Sequence, residues 1–362
     1  MEKVFDLHVH YKFDIPLPEM VEIFREEFSA TGTEKECFLS LPHYTQGDNV
    51  IFDEMQNVKG LFLKWAFSPN AYAFAGLEHP TDHTDEKAMA EQFLSQAKEY
   101  LSAGFDGIKM LDGYPSLVKS WNLPVDSPVY DPFYAFIEKN GYPILMHIAN
   151  PKECWDIVSA PSHLIEQGRV YDSTYPTKEE LTEQVFHVME KFPNLRLILA
   201  HFGFMSHSVA EAERFLSYPN TLFDITPGGE QLLHMQKTWG EWLPFWEKYA
   251  DRIFYGTDFY AFPKDEQWEI SFRRRPDFLR QFIETDEEHT YVMDAFQGVK
   301  LSPSLRDKIY RQNFMRLLGS PKPIDFAFIR KHAKRLQSAK NKLSINADND
   351  LLYMLSQIDK TD

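Results

Sequence analysis

Two histidines separated by one residue stand near the start of the sequence, in the run VFDLHVH at residues 4–10. The run is rich in residues that favour β-strands, and positions i and i+2 of a strand point to the same face. His8 and His10 would therefore aim both imidazoles at one point, as a pair of metal ligands does. Taken alone, the pair also fits a strand with two chance histidines, one of them facing solvent.

Eight short apolar runs recur along the chain, separated by longer stretches with helical periodicity. They cover residues 4–11, 36–41, 61–67, 105–111, 143–148, 195–201, 221–225 and 253–258. Several are continuously hydrophobic, as strands buried on both faces of a parallel sheet are. The alternation favours an α/β fold, a (β/α)8 TIM barrel over residues 1–320, with a doubly wound open sheet as the main alternative. No GxGxxG motif follows the first strand, which weighs against that alternative.

Helical patterns lie between these runs. The spacing of Met20, Phe24 and Phe28 predicts a helix after the first strand, and Thr177 with Glu180 reads as a capping box. Residues 321–362 are predicted to form a C-terminal helical extension packed on the outside of the barrel.

Ligand-type side chains fall at corresponding places in this pattern. The active site of such a barrel forms at the carboxyl ends of its strands. The polar residues at or near those ends are His8, His10, Lys109, His147, His201 and Asp258. A single buried histidine is more often a hydrogen-bonded core residue than a ligand, but the joint placement favours a metal site. Neutral imidazoles with a carboxylate suit Zn²⁺ or a related divalent ion, which activates water and polarises a carbonyl.

Composition narrows the classes of partner. The net charge of −16 argues against nucleic acid and anionic membranes, because both require a basic surface. The two cysteines, Cys37 and Cys154, exclude a disulfide scaffold. The start of the chain leads directly into the histidine run, and no stretch reaches about 18 apolar residues, so we expect no signal peptide or transmembrane helix and a cytoplasmic setting. We expect a small-molecule substrate, and the aromatic content makes a homodimer reasonable.

The motifs resemble those of the amidohydrolase superfamily. The resemblance rests on His8-Val9-His10, His147, His201 and Gly256-Thr257-Asp258. The segments Gly107-Ile108-Lys109 and Ala200-His201-Phe202-Gly203 resemble the amidohydrolase 2 branch, which includes aminocarboxymuconate-semialdehyde decarboxylase. The resemblance spans about residues 1–320, and the order of the motifs carries it rather than any single one.

The resemblance implies a role for each of these residues. One metal ion, most simply Zn²⁺ with Mn²⁺ or a binuclear site as alternatives, would be bound by His8, His10, His147 and Asp258. His201 would be the nearby acid/base or orienting group, and Asp258 would also handle a proton in hydrolytic members. Lys109 stays open between a contact to a substrate or an acid and a carbamylated bridge between two ions. In the bridged case, His147 and His201 would hold the second ion.

Two further residues in predicted loops are candidates for substrate contact. His43 follows the second strand, and its alternative is a surface histidine. Arg273 begins a run of three arginines and could bind a substrate carboxylate bidentately, the alternative being a solvated basic turn.

The sequence therefore predicts a metal-dependent hydrolase. Metal-activated water would attack a C–N or C–O bond of an amide, lactone or ester in a small molecule. The first alternative is a non-oxidative decarboxylase of a small carboxylic acid, in which the metal would hold the substrate. The second is a catalytically silent metal-containing binding protein, against which the complete ligand set argues.

Overall fold

The computed structural model describes most of the chain. The described residues are 1–11, 15–41, 44–46, 49–52, 55–80, 84–158, 160, 162–166, 168–227, 231–261, 274–291, 294–338 and 346–360. The side chains of residues 44–46, 49–52 and 163 are not described. His43 and Arg273 therefore lie outside the described residues. Within these ranges, no helix is both long enough and apolar enough to cross a bilayer.

Strands and helices alternate along the chain. The strands are β1 Val4–Tyr11, β2 Thr33–Leu39, β3 Tyr44–Gln46, β4 Asn49–Phe52, β5 Ala71–Gly76, β6 Gly107–Gly113, β7 Pro143–Ile148, β8 Arg196–Leu199, β9 Thr221–Asp224, β10 Ile253–Phe254, β11 Phe259–Ala261, β12 Glu288–Tyr291 and β13 Asp294–Gln297.

The helices fall between and after these strands. They are α1 Leu17–Thr31, α2 Gln56–Ala66, α3 Glu86–Ala103, α4 Pro115–Trp121, α5 Asp131–Asn140, α6 Ser162–Glu166, α7 Lys178–Lys191, α8 Val209–Leu216, α9 Gln231–Lys237, α10 Trp239–Tyr249, α11 Arg275–Glu284, α12 Pro303–Asp307, α13 Asn313–Leu318, α14 Phe326–Gln337 and α15 Ala347–Ile358. The predicted helix after the first strand is α1, and the Thr177–Glu180 capping box opens α7 as predicted.

The first compact unit comprises residues 1–79, 96–109 and 254–362. Its strand β1 pairs in parallel with β2 on one side and with β11 on the other. In turn β2 pairs with β5, and β5 pairs with the start of β6, both in parallel. Every residue of β1 is buried, so both faces of this strand are covered by protein.

The second compact unit comprises residues 80–95 and 110–253. Here β7 pairs in parallel with β8, and β8 pairs in parallel with β9. The Phe202 ring stacks on Phe223 with centroids 4.5 Å apart and packs against residues of α10. The carboxyl ends of these parallel strands lead into the segments that carry His147 and His201.

The predicted strand at residues 61–67 is wrong, because this stretch is mostly the second half of α2. Residues 56–64 are all buried, so the helix shows no polar face that would reveal a period of 3.6 residues. The strand that pairs with β2 is β5, with the sequence AYAFAG. Alanine is a poor strand former, and β5 therefore lacks the signal that marks the other strands.

The predicted C-terminal helical extension is confirmed by α14 and α15, which belong to the first compact unit. The Asp350 carboxylate on α15 lies 2.9 Å from the Lys59 ammonium, and both side chains are almost fully buried. The same carboxylate accepts a 2.7 Å hydrogen bond from the Leu17 amide at the start of α1. One buried acid thus joins the extension to α1 and α2.

A buried pair of glutamates, Glu27 on α1 and Glu36 on β2, lies in the same unit. Both side chains have no exposed surface, and the Thr31 hydroxyl donates to Glu27 at 2.8 Å. Burial raises the pKa of Glu36 well above its usual 4.5, and the neighbouring Glu27 carboxylate raises it further. Glu36 is therefore the member of the pair that holds a proton most tightly.

We expect Glu36→Gln to change the pH dependence of stability. A carboxyl group whose pKa is raised by folding stabilises the fold fully below its unfolded value, here about 4.5. That contribution is lost as pH rises through the folded value. Glutamine stays neutral, so the stability of the variant relative to the wild type should increase between pH 5 and pH 9. Urea unfolding across this range measures the difference, with exposed Glu34→Gln on the same strand as the control. Parallel pH profiles for wild type and variant would contradict the expectation.

Candidate functional site

The histidine pair on β1 converges as its spacing predicts. His8 and His10 are both buried, and their Nε2 atoms lie 3.0 Å apart. The strand is fixed on both sides by parallel neighbours, so the two rings cannot turn to opposite faces without breaking its pairing. The alternative in which one histidine faces solvent is therefore excluded.

Asp258 completes a three-residue cluster with this pair. It precedes β11 with a φ of 52°, and its amide donates a 2.9 Å hydrogen bond to the His8 carbonyl. Its Oδ1 atom lies 3.5 Å from His8 Nε2 and 3.6 Å from His10 Nε2. Two ligands held at about 2.0–2.2 Å from one tetrahedral ion would lie roughly 3.3–3.6 Å apart. The two histidine–aspartate distances lie in this range, and the 3.0 Å between the two Nε2 atoms is slightly shorter, a difference that rotation of the imidazoles can absorb without rearrangement of the backbone.

The orientation of His10 is set by its other ring nitrogen. His10 Nδ1 lies 3.0 Å from the Leu39 carbonyl, which can only accept, so Nδ1 carries the proton and Nε2 presents a lone pair. Burial lowers the pKa of His10 well below its usual range, and the nearby His8, Lys109 and Arg275 lower it further. The neutral imidazole is the form that binds a metal ion.

Asp6 ties the two parts of the cluster together. Its carboxylate accepts hydrogen bonds from the His8 amide at 2.9 Å and from the Thr257 amide at 3.1 Å. The Thr257 hydroxyl donates to the second oxygen at 2.5 Å. Asp6 is fully buried, and both of its carboxylate oxygens are engaged by donors from His8 and Thr257. It is a positioning residue, and strand alternation could not have shown this, because residues 6, 8 and 10 share one face of the strand.

Lys109 lies at the same cluster. It is 1% exposed on β6, and its Nζ atom is 3.5 Å from His8 Nε2. The end of the Lys109 side chain is thus placed next to the predicted ligands. The choice between a contact to a substrate or an acid and a carbamylated bridge stays a prediction.

Arg275 contacts Asp258 directly, a contact that the sequence did not reveal. Its Nη1 atom donates to Asp258 Oδ2 at 3.0 Å and also to the Asp258 carbonyl. The arginine thereby holds Oδ2 and leaves Oδ1 facing the two histidines. The sequence points to the arginine run at residues 273–275 but does not distinguish its members.

In the second compact unit, His147 and His201 lie side by side with ring centroids 5.1 Å apart. His147 ends β7, and its Nε2 atom lies 3.0 Å from the Ala149 carbonyl. The neutral ring therefore carries its proton on Nε2, and Nδ1 has the lone pair. The roles of His147 as fourth metal ligand and His201 as acid/base group stay predictions.

His201 is held by two residues that the sequence reading missed. Its amide donates to Asp224 Oδ1 at 2.7 Å, and its Nδ1 atom lies 2.9 Å from Thr226 Oγ1. Asp224 is the last residue of β9, the strand that pairs with β8, and Thr226 lies two residues further along the chain. A polar residue after a neighbouring parallel strand is the signal that could have identified them.

Comparison with known proteins identifies the family and the fold. An amidohydrolase family model matches residues 70–320. No curated protein matches the chain by sequence. An uncharacterised TIM-barrel protein, Bb4693 from Bordetella bronchiseptica, is 15% identical, with a TM-score of 0.57 over 88% of this chain and 98% of that one. This likeness confirms the predicted TIM-barrel fold.

Two solved enzymes have the same fold. A 2,6-dihydroxybenzoate decarboxylase is 17% identical, with a TM-score of 0.50 over 88% of this chain and 99% of that one. The 4-oxalomesaconate hydratase LigJ from Rhodopseudomonas palustris is 13% identical, with a TM-score of 0.51 over 87% of this chain and 95% of that one. At these identities the likeness extends to the fold alone.

Proposed function

Because the chain belongs to the amidohydrolase 2 family, we propose that it is a metal-dependent hydrolase of a small-molecule amide, lactone or ester. The observation that carries the proposal is the convergence of His8 Nε2, His10 Nε2 and Asp258 Oδ1 within 3.0–3.6 Å. Neutral imidazoles and one carboxylate suit Zn²⁺ best, with Mn²⁺ as the alternative.

The chain's own groups supply the remaining chemistry. His8, His10 and Asp258 would hold the ion, with His147 proposed as a fourth ligand. Such an ion supplies Lewis acidity, which polarises a substrate carbonyl and lowers the pKa of water toward about 7. His201 is proposed to move a proton at Nε2, because its Nδ1 atom is occupied by Thr226.

The contact with Arg275 affects which chemical role Asp258 can have, ion binding or proton transfer. The guanidinium occupies Oδ2 and adds a positive charge beside the carboxylate. With Oδ2 engaged by the guanidinium, Oδ1 is the oxygen that faces the two histidines and an ion held by them. We therefore assign Asp258 to ion binding first and give the proton transfer to His201.

A decarboxylase is the second candidate, because a decarboxylase is among the enzymes that have this fold. On this alternative the same residues would hold an ion that binds a substrate carboxylic acid, and the C–C bond to its carboxyl group would break. The two reactions leave different products, since hydrolysis releases a new titratable acid from an ester or lactone and decarboxylation releases CO₂.

We expect zinc-loaded protein to hydrolyse members of a panel of esters, lactones and amides. A pH indicator follows acid release from esters and lactones, product chromatography follows amides, and ¹³C-carboxyl acids in the same panel report CO₂. His201→Ala should lower kcat by about 100-fold or more while the bound zinc is retained. Release of ¹³CO₂ with no hydrolysis would replace the hydrolase proposal by the decarboxylase. If neither hydrolysis nor CO₂ release is detected with any compound of the panel, the catalytically silent binding protein is the remaining alternative.

A further inference from the structure

His201 stands on an unusual piece of backbone. After β8 the chain makes a left-handed turn, in which His201, Phe202, Gly203 and Phe204 have φ values between 54° and 57°. Only one of the four is glycine, and L-residues avoid this region because Cβ approaches the following carbonyl. Four such residues in succession persist only when surrounding contacts hold them.

Contacts hold this turn at both ends. At its start, the His201 amide donates to Asp224 Oδ1 at 2.7 Å and to Thr226 Oγ1 at 3.2 Å. At its end, the Lys178 ammonium donates to the Phe204 carbonyl at 2.5 Å. Lys178 is 5% exposed, and burial lowers its pKa to about 8. The ammonium form that donates this hydrogen bond therefore predominates at neutral pH.

We propose that Asp224 and Thr226 are positioning residues that fix the tautomer of His201, and that Lys178 secures the turn on which His201 is presented. The Thr226 hydroxyl has one hydrogen, which it donates to Asp224 Oδ1 at 2.6 Å. At 2.9 Å from His201 Nδ1, the same oxygen must then accept. The neutral ring carries its proton on Nδ1, and its lone pair is on Nε2.

The tautomer has a consequence for proton transfer, which rests on the proposed function of His201. A ring with the lone pair on Nε2 can take a proton there and later donate it. Asp224 would orient the Thr226 hydroxyl as its acceptor, and Thr226 would hold the proton on His201 Nδ1, so that Nε2 is the nitrogen that exchanges a proton.

The tautomer is measured on the full chain labelled with ¹⁵N-histidine, by two-bond ¹H–¹⁵N correlation spectra. His201→Ala identifies the His201 signals. We expect Nδ1 to show the shift of a protonated nitrogen and Nε2 that of a lone-pair nitrogen. Thr226→Val should abolish this preference, and Thr226→Ser should restore it because the hydroxyl returns. Asp224→Ala should weaken the preference, because the Thr226 hydroxyl then loses the acceptor that fixes its hydrogen.

Several results would overturn the proposal. A wild-type His201 protonated on Nε2 contradicts it outright, as does a Thr226→Val spectrum that matches the wild type. If Thr226→Val fails to fold, the Thr226→Ser variant is used instead. Loss of the Nδ1 proton in Thr226→Ser would also contradict the proposal, because serine keeps the hydroxyl. These spectra need no substrate. A wrong tautomer would contradict the role of Asp224 and Thr226, whereas a failed hydrolysis assay would contradict the proposed function, so the two failures can be distinguished.

The role of Lys178 is tested by amide hydrogen exchange. Lys178→Met should speed exchange of the His201 amide by about tenfold, because one end of the turn is released. Lys191→Met is the control, since Lys191 lies on the same helix and its side chain is 55% exposed. Equal exchange rates in wild type and Lys178→Met would remove Lys178 from the proposal.

Discussion

Replacement of both His8 and His10 by alanine should reduce zinc binding from about one ion per chain to a level set by nonspecific sites. The two Nε2 atoms supply two of the three converging ligand atoms in the first compact unit. Loss of a residue that merely supports a ligand costs 10–100-fold in metal affinity, so loss of two ligands should exceed roughly 100-fold. Equilibrium dialysis against buffered Zn²⁺, followed by metal analysis, measures the change. We expect the far-ultraviolet circular dichroism spectrum to be retained.

His187→Ala is the matched control for this experiment. His187 also carries an imidazole, but its side chain is 60% exposed and pairs with Asp126 at 2.7 Å. Its removal should leave the zinc content unchanged. Full zinc occupancy in the His8 and His10 double variant would show that the ligands lie elsewhere, and the proposed function would lose the observation that carries it.

Asp350→Ala should lower the free energy of unfolding by about 3–5 kcal/mol. The Lys59 side chain is fully buried and the Asp350 side chain is 1% exposed, so removal of the acid leaves an uncompensated ammonium in the interior. The variant also removes the acceptor of the Leu17 amide at the start of α1. Urea unfolding at pH 7 measures the loss.

Two further variants separate the contributions to this loss. Asp350→Asn keeps an oxygen for the Leu17 amide and removes only the charge, so it should cost less than Asp350→Ala. Asp359→Ala is the surface control on the same C-terminal extension, because Asp359 is 66% exposed and pairs with Arg330 at 3.3 Å. It should cost less than about 1 kcal/mol. A cost for Asp350→Ala as small as that of Asp359→Ala would show that the buried ion pair does not secure the extension.

The candidate site was predictable where its residues stand at strand ends. The spacing of His8 and His10 predicts that their side chains converge, because side chains two residues apart in a strand point to the same face. Asp258 is identifiable by its position after an apolar run. Its contact with Arg275 is not, because the arginine lies 17 positions further along the chain, beyond residues 262–273, which the structure does not describe. Contacts of this kind depend on tertiary packing rather than on a local period.

The fold was predictable where hydrophobic periodicity is strong. The apolar run at 61–67 was wrongly predicted as a strand, because a largely buried helix and a buried strand have similar composition over seven residues. The alanine-rich β5 is stabilised by its neighbours β2 and β6 rather than by its own propensity. The left-handed turn at His201 was not predictable either, since Asp224, Thr226 and Lys178 hold it from other elements.

The hydrogen bonds of Asp6 imply an order of events during synthesis. Asp6 and Thr257 are 251 positions apart, so the first strand leaves the ribosome long before its partner segment exists. Until Thr257 and Asp258 arrive, a growing chain has the two histidines of the cluster but not its carboxylate. Closing so long a loop carries an entropic cost that the contacts must outweigh, which makes the junction a late step. If the cluster binds an ion as proposed, a bound ion would therefore be a sign that the first and the late parts of the chain have met.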